Sequence, residues 1–522
     1  MATPSEKLAE SLEVLKSFQD ENGIAVIKSR EISRTHKDRL VSKGFLIEVI
    51  KGWYISVRPD LVQGNSTSWY TSFWHFVSVY FNERFGDEWC LSPEQSLLIH
   101  SGNYTVPKQL LVRSPKAGNN KINLIHDTSF FDLRSSMPTK DEIEEKDGLL
   151  LFPLASALIA SSPGFFSQYP NDARTALAMV KDSSEVLALL LNGGHSVIAG
   201  RLAGSFRNIG RDRIAAEIIS VMRSADYDAR ELDPFSDKSS AVLNVHSGSP
   251  SANRIKLMWH QMRPYVIKRF PAPPGIPGNT DKYLEKVDDV YKSDAYHSLS
   301  IEGYQITSGL IEKVHSGKWD PKNNMEDTHK IDAMAARGYW QAFQSVKVSI
   351  KEILKGNDSG NIAECDHGKW YRELFSPSVS AGILKPSDLA GYRNGPVFIN
   401  GSKHTPPSPE ALRDAMPVLF ELLREEQESS VRAVLGHFIF VYLHPYMDGN
   451  GRIGRFLMNV MLASGGYPWT VISMDHRDRY MDALEKASVE LEISEFADFL
   501  AIIVQEGTEG ISVADIPDET VK

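Results

Sequence analysis

The sequence predicts a multidomain protein, mainly α-helical in its C-terminal half and α+β in the region before it. Three observations carry that expectation. The 522 residues exceed what a single hydrophobic core holds. A polar stretch at 236–251 and a proline-rich one at 271–278, P-A-P-P-G-I-P-G, interrupt the chain near its middle. Beyond this break, apolar residues recur at helical spacing through 283–296, 305–314 and 328–354; before it, helix-like segments alternate with short strand-like runs. The expected divisions are therefore 1–60, 61–240, a connector at 241–280, a helical domain at 281–505 and an acidic tail at 506–522.

Composition narrows the class. Hydrophobic residues make up 42% and charged residues 24%, as in soluble globular chains. A net charge of −10 gives no overall pull toward nucleic acid, so any such contact would need a local basic face. With only Cys90 and Cys365, neither a disulfide framework nor a four-cysteine zinc site can be built. No signal peptide or membrane-length apolar run is seen, which leads us to expect a cytoplasmic protein with no membrane partner.

Taken in order, residues 5–60 read as a small winged helix. Leu8, Leu12, Leu15 and Phe18 mark one helix, and 45–57 with its Lys51-Gly52 turn reads as the hairpin wing. Between them Arg30, Arg34, Lys37, Arg39 and Lys43 cluster where a helix-turn-helix presents cations to DNA; a solvated face on a protein-contact module is the competing reading. Residues 66–240 mix aromatic-rich 69–85, strand-like 109–113 and 121–125, and helices at 149–160 and 184–191. Arg201, Arg207, Arg211 and Arg213 form a second apolar-basic pattern, read as a partner face or as solvated charge. The N-terminal region as a whole resembles AbiEi-type antitoxins and winged-helix regulators.

The most informative stretch is 444–455, H-P-Y-M-D-G-N-G-R-I-G-R. The apolar run 431–443 suits a buried helix, which Pro445 and the glycines stop. Helical spacing resumes with Ile453, Phe456, Leu457, Val460 and Met461. Gly449, Asn450 and Gly451 therefore lie at a helix N-terminus, where backbone N–H groups and the macrodipole favour an anion. Arg452 and Arg455 leave one face of that first turn, where the dipole disfavours cations, so an anion should compensate. Asp448 offers a hard oxygen to Mg²⁺, and His444 is a proton acceptor suited to neutral pH. D-G-N-G alone is a common turn; with His444 and both arginines at fixed offsets it points to phosphate chemistry.

At these residues the chain resembles the Fic family, whose signature is H-x-F-x-(D/E)-G-N-G-R-x-x-R. Tyr446 stands where Phe is usual. A second resemblance lies in Y-H-S-L-S-I-E-G at 296–303, where Ser298, Glu302 and Gly303 match the family's inhibitory motif. The resemblance implies a mostly helical Fic fold acting as a protein adenylyltransferase. Such an AMPylator would transfer AMP from ATP to a Ser, Thr or Tyr hydroxyl, with His444 as base and Asp448 holding Mg²⁺. It further implies Gly449, Asn450, Gly451, Arg452 and Arg455 around the phosphates, Tyr480 beside the adenine, and Glu302 blocking Arg455. A β-hairpin flap is implied within 389–416, with Gly395, Pro396 and Gly401 at its turns. Self-modification and a homodimer are compatible with this reading.

Alternatives stay open. Glu302 could orient water and remove AMP, or another phosphate-containing group could be transferred. The protein could also be chiefly a DNA-binding, antitoxin-like regulator whose C-terminal domain senses nucleotide.

Overall fold

A computed structural model describes residues 3–19, 26–57, 66–139, 142–235, 249–317, 331–511, 514 and 516. The chain divides into two compact units, residues 1–254 with 396–406, and residues 255–395 with 407–522. Most of the acidic tail after 511, and residues 328–330 of the expected helix, lie outside the described residues.

In the N-terminal unit, helix Pro4–Lys16 begins at a capping box in which Thr3 and Glu6 exchange hydrogen bonds. The expected hairpin is present as Leu46–Ile50 and Trp53–Ser56, completed by Val26–Lys28 into a three-stranded antiparallel sheet with Trp53–Ser56 in the centre. The aromatic stretch is one helix, Thr67–Phe85, whose Trp69, Phe73, Phe76 and Phe81 are buried. It packs with a four-stranded sheet in which Gln109–Ser114 and Ser129–Arg134 run parallel. Residues 149–151 form a strand, so the helix expected from 149 begins only at Leu154–Ala160. Helices Ser184–Gly193, Ser196–Asn208 and Asp212–Ser224 follow and contribute to one apolar core.

Among the described residues, the regular elements of the C-terminal unit are all helices. Helix Ser429–Leu443 lies at its centre, packed by Pro409–Glu425, Asn450–Ala463, Arg477–Val489 and Ser494–Thr508. That explains its nearly unbroken apolar sequence, since a helix covered on all sides needs no polar face. Helices Thr280–Ile301, Ile331–Leu354 and Ser359–Ser380 enclose the other side of Asn450–Ala463.

Two expectations are corrected here. Half of the connector at 241–280 is a helix, Pro250–Arg269, and the part from 255 onward is fastened to the C-terminal unit. Arg263 grips Glu426 at 2.6 and 2.9 Å, and Trp259 donates to the same carboxylate at 3.2 Å. Even the proline-rich part is anchored, by Gly275 N to Gly465 O at 2.9 Å and Tyr467 Oη to Pro271 O at 2.5 Å. The second correction concerns 389–416, where no strand forms among the described residues. Pro396, Pro406 and Pro407 cannot donate to a ladder. Instead Gly401 N donates to Thr67 Oγ1 at 2.8 Å and Val106 N to Lys403 O at 3.0 Å, within the N-terminal unit.

The Glu426 contact yields a prediction. Burial pushes its carboxyl pKa up, but Arg263 and the Glu428 N–H outweigh that and hold it below the usual range. A depressed carboxylate stabilises the fold above its unfolded pKa and loses that contribution as pH falls through the folded value. Glu426→Ala should therefore cost about 1–3 kcal/mol, mainly by removing the acceptor of the buried Trp259 indole, since Arg263 is partly exposed and water can solvate it, measured by denaturant unfolding at pH 7. The deficit relative to the parent should shrink as pH drops below about 4.3.

Candidate active site

Helix Ser429–Leu443 ends at His444, whose backbone takes the left-handed conformation, φ 51° and ψ 61°. Its Nδ1 lies 3.1 Å from Val441 O, a carbonyl that can only accept, so Nδ1 carries the proton and Nε2 keeps its lone pair. Burial pushes the imidazole pKa down to about 4, against the opposing pull of Val441 O, Glu302 and Asp448. The group is therefore a neutral base at physiological pH.

The next residues build the turn. Tyr446 is buried and stacks face to face on Tyr371, centroids 3.9 Å apart, so the aromatic anchor expected at this position is in place. Asn450 holds the loop closed through its side chain: Oδ1 accepts from Tyr446 N and Nδ2 donates to Tyr446 O, both at 2.8 Å. Any anion contact from Asn450 is thus left to its backbone. Gly449, at φ 81°, is required twice over, because a Cβ there would also meet the Phe375 ring at 2.8 Å.

Helix Asn450–Ala463 then starts without any side-chain cap. Its first N–H groups point where an anion would sit, and a carboxylate is found there. A Cβ on Gly451 would lie 2.4 Å from Glu302 Oε1, so the acid rests directly on the helix mouth. Arg455 Nη2 donates to Glu302 Oε1 at 2.7 Å and to Ser298 O at 3.0 Å, while Nε donates to Ser298 Oγ at 2.9 Å. Burial raises the Glu302 carboxyl, but Arg455 and Arg452 outweigh it and keep the group ionised.

Arg452 is 1% exposed and lies between the faces of Tyr304 and Phe375, each 5.1 Å away, with Nη2 3.2 Å from Asp448 Oδ1. Arg452 Nε and Arg455 Nη1 find no hydrogen-bond partner among the described residues. Buried guanidinium donors without acceptors are costly, which is what an anion site lacking its full ligand looks like. Asp448 is exposed. No cluster of three or more His, Cys, Asp or Glu is present among the described residues, so a metal here would take most of its oxygens from phosphate and water, the habit of Mg²⁺.

The sequence expectations thus meet at one place for Ser298, Glu302, His444, Asp448, Gly449, Gly451, Arg452 and Arg455, with Gly303 the positive-φ residue directly after Glu302. Tyr480 is 1% exposed, bonded to His437 Nε2 at 2.8 Å, close to Phe496 and Phe499, and its hydroxyl interacts with the Arg455 guanidinium. Some basic residues of the N-terminal unit are engaged in its own fold, while Arg30, Arg34 and Lys43 keep exposed side chains. Arg30 pairs with Glu83, Lys37 bonds Ser29 and covers Tyr54, and Arg39 reaches Lys7 O and Ser11 Oγ. Arg34 reaches Asp38 at 3.5 Å, while Lys43 is exposed. Of the second basic pattern, Arg201 and Arg211 are bonded to backbone carbonyls and Arg207 to Glu231. Tyr304, Phe375 and Arg393 are site residues that sequence reasoning missed.

A carboxylate-capped anion site beside a neutral histidine defines a class of phosphate-handling domain, and residues 368–462 match the Fic/DOC family. The chain carries a Fic/DOC domain in its C-terminal region. It is 29% identical over 221 residues to Protein adenylyltransferase Fic of Drosophila willistoni, an alignment covering 41% of this chain and 40% of that one. The protein of the same name from Drosophila ananassae is 28% identical over 291 residues, 53% of this chain and 48% of that one. The chain thus spans less than half the length of these curated relatives. Among solved structures, a Fic domain containing signaling protein from Bacteroides thetaiotaomicron is 18% identical, covering 51% of this chain and all of that one at a TM-score of 0.33. Fic-1 from C. elegans is 16% identical, covering 63% of this chain and 91% of that one at a TM-score of 0.36. No described helix is long and apolar enough to cross a membrane.

Proposed function

We propose that this protein is an adenylyltransferase that moves AMP from ATP to a hydroxyl side chain of a protein and is held inactive by Glu302. The observation that carries the reading is the ionised Glu302 seated on the uncapped mouth of helix Asn450–Ala463, bonded to Arg455 and beside a histidine whose Nε2 is unprotonated. An acid in that place occupies the position a terminal phosphate would take.

The chemistry follows from the placement. His444 Nε2 accepts the proton of the target hydroxyl as its oxygen forms a bond to the α-phosphorus. The bond from that phosphorus to the β-bridging oxygen breaks, and pyrophosphate departs with the electron pair. Arg452 and Arg455 hold the departing phosphates, and the first backbone N–H groups of the helix take their remaining oxygens. Asp448 would hold Mg²⁺, which when bound neutralises phosphate charge. The names of the curated relatives, together with the family match at the same residues, support adenylyl transfer over other phosphate-containing groups.

Peptide mass spectrometry of full-length Glu302→Gly incubated with ATP and Mg²⁺ tests this, with the chain itself and host lysate as acceptors. An adenylyl adduct on Ser, Thr or Tyr is expected. A phosphate or other adduct in its place, or no adduct on any protein, contradicts it.

A further inference from the structure

Arg393 lies in the 389–416 segment, is 2% exposed, and its guanidinium is spent almost entirely on main-chain carbonyls. Nε donates to His444 O at 2.8 Å, Nη1 to Gly395 O at 3.1 Å, and Nη2 to Pro407 O and, at 3.4 Å, to Leu443 O. Its own N–H donates to Pro445 O at 2.9 Å. Leu443, His444 and Pro445 are the carbonyls stranded where helix Ser429–Leu443 stops, and a cation there also meets the negative end of the helix. Gly395 and Pro407 are the residues flanking 396–406, the excursion that belongs to the N-terminal unit.

We infer that Arg393 is the positioning residue for His444, clamping the left-handed turn that aims the imidazole to both stems of the 396–406 excursion. His444 is held at two points, its ring by Val441 O and its carbonyl by Arg393. With φ at 51°, this non-glycine residue sits in a sparsely populated conformation that persists only where surroundings enforce it. Releasing the carbonyl lets the peptide rotate toward ordinary φ, which swings the imidazole away while leaving the phosphate cradle on helix Asn450–Ala463 untouched. Lysine cannot substitute, because a point charge with three divergent donors does not reproduce the planar fork that bonds four carbonyls. This inference rests on the reading of His444 as the base.

The test compares full-length Glu302→Gly with Glu302→Gly/Arg393→Lys. Misplacing a reacting group by about 1 Å costs on the order of 10²-fold, so kcat for AMP transfer should fall about 10–100-fold while the Kd for ATP stays within about twofold. Crystal structures of the pair should show His444 leaving positive φ in the lysine variant. Unchanged kcat with His444 still at positive φ overturns the inference. So does a joint fall of kcat, ATP affinity and thermal midpoint, the pattern of a merely structural residue. Should the lysine variant not fold, Arg393→Gln, which keeps two N–H donors, is read in the same way. If Glu302→Gly itself transfers nothing, the proposed function fails, and the crystallographic comparison alone decides whether Arg393 sets His444.

Discussion

His444→Ala in the Glu302→Gly background is expected to lower AMP transfer by about 10²–10⁴-fold while leaving ATP affinity nearly unchanged. The split follows from geometry: the imidazole hangs from the end of helix Ser429–Leu443, whereas the arginines and amide cradle belong to helix Asn450–Ala463. Removing a proton acceptor that touches only the attacking hydroxyl affects kcat and spares the phosphates. The pH dependence carries the same signature. Burial depresses the His444 pKa to about 4, so the group stays a competent base until pH falls through that value. In Glu302→Gly, kcat/KM should therefore be flat from about pH 8 to about pH 5, and loss of the Glu302 charge pushes any acid limb lower, not higher. A limb near 6.5, an unperturbed imidazole, would show that a different group takes the proton.

The second large effect runs in the opposite direction. Glu302→Gly should raise transfer by about 10–100-fold over the parent, since a charged hydrogen bond of about 1.5–3 kcal/mol to Arg455 no longer competes with phosphate. The same change should lower stability without ligand, because Arg455, 3% exposed, then lacks its main counter-charge, and Arg452 keeps only Asp448 as an acidic neighbour. ATP with Mg²⁺ should restore the thermal midpoint in the variant more than in the parent, by mass action on the folded state. Labelling from α-phosphate-tagged ATP and thermal unfolding with and without nucleotide measure both halves. Equal labelling in parent and variant would show that Glu302 does not hold the protein back.

Much of this site is legible in the sequence because its chemistry is local. Gly449 to Arg455 occupy one turn and the start of one helix, and the dipole penalty on two arginines already signals a missing anion. Glu302 was reached through the resemblance of 296–303 to the family's inhibitory motif, since a helix-ending acid before a glycine carries little information by itself. Arg393 was not. It is 51 residues from His444, and nothing in Y-R-N-G-P predicts which carbonyls it finds. Tyr304 and Phe375 come to Arg452 the same way, from two different helices' ends.

The misread elements have physical reasons too. Helix Pro250–Arg269 contains Pro264 and adjoins a polar stretch, so it reads as connector, although Ile255, Met258, Trp259, Met262 and Val266 do recur at helical spacing. The segment 149–151 is apolar in a way that suits strand or helix equally, and pairing with 144–146 decides for strand. Tyr480 was placed beside the adenine by resemblance; its partner His437, 43 residues away, is not legible from the sequence. Within the basic clusters of the N-terminal unit, the acceptors that engage Arg30, Arg201 and Arg207, namely Glu83, Ser161 O and Glu231, come from elsewhere in the chain, so these pairings are not legible locally.

The central claim is that the mouth of helix Asn450–Ala463 is a triphosphate site which Glu302 fills in its place. A crystal structure of Glu302→Gly with ATP and Mg²⁺ tests it most directly. The account predicts a terminal phosphate on Arg455, phosphate oxygens on the backbone N–H groups of Asn450 and Gly451, and the metal beside Asp448. Nucleotide bound elsewhere with that helix mouth vacant would contradict it.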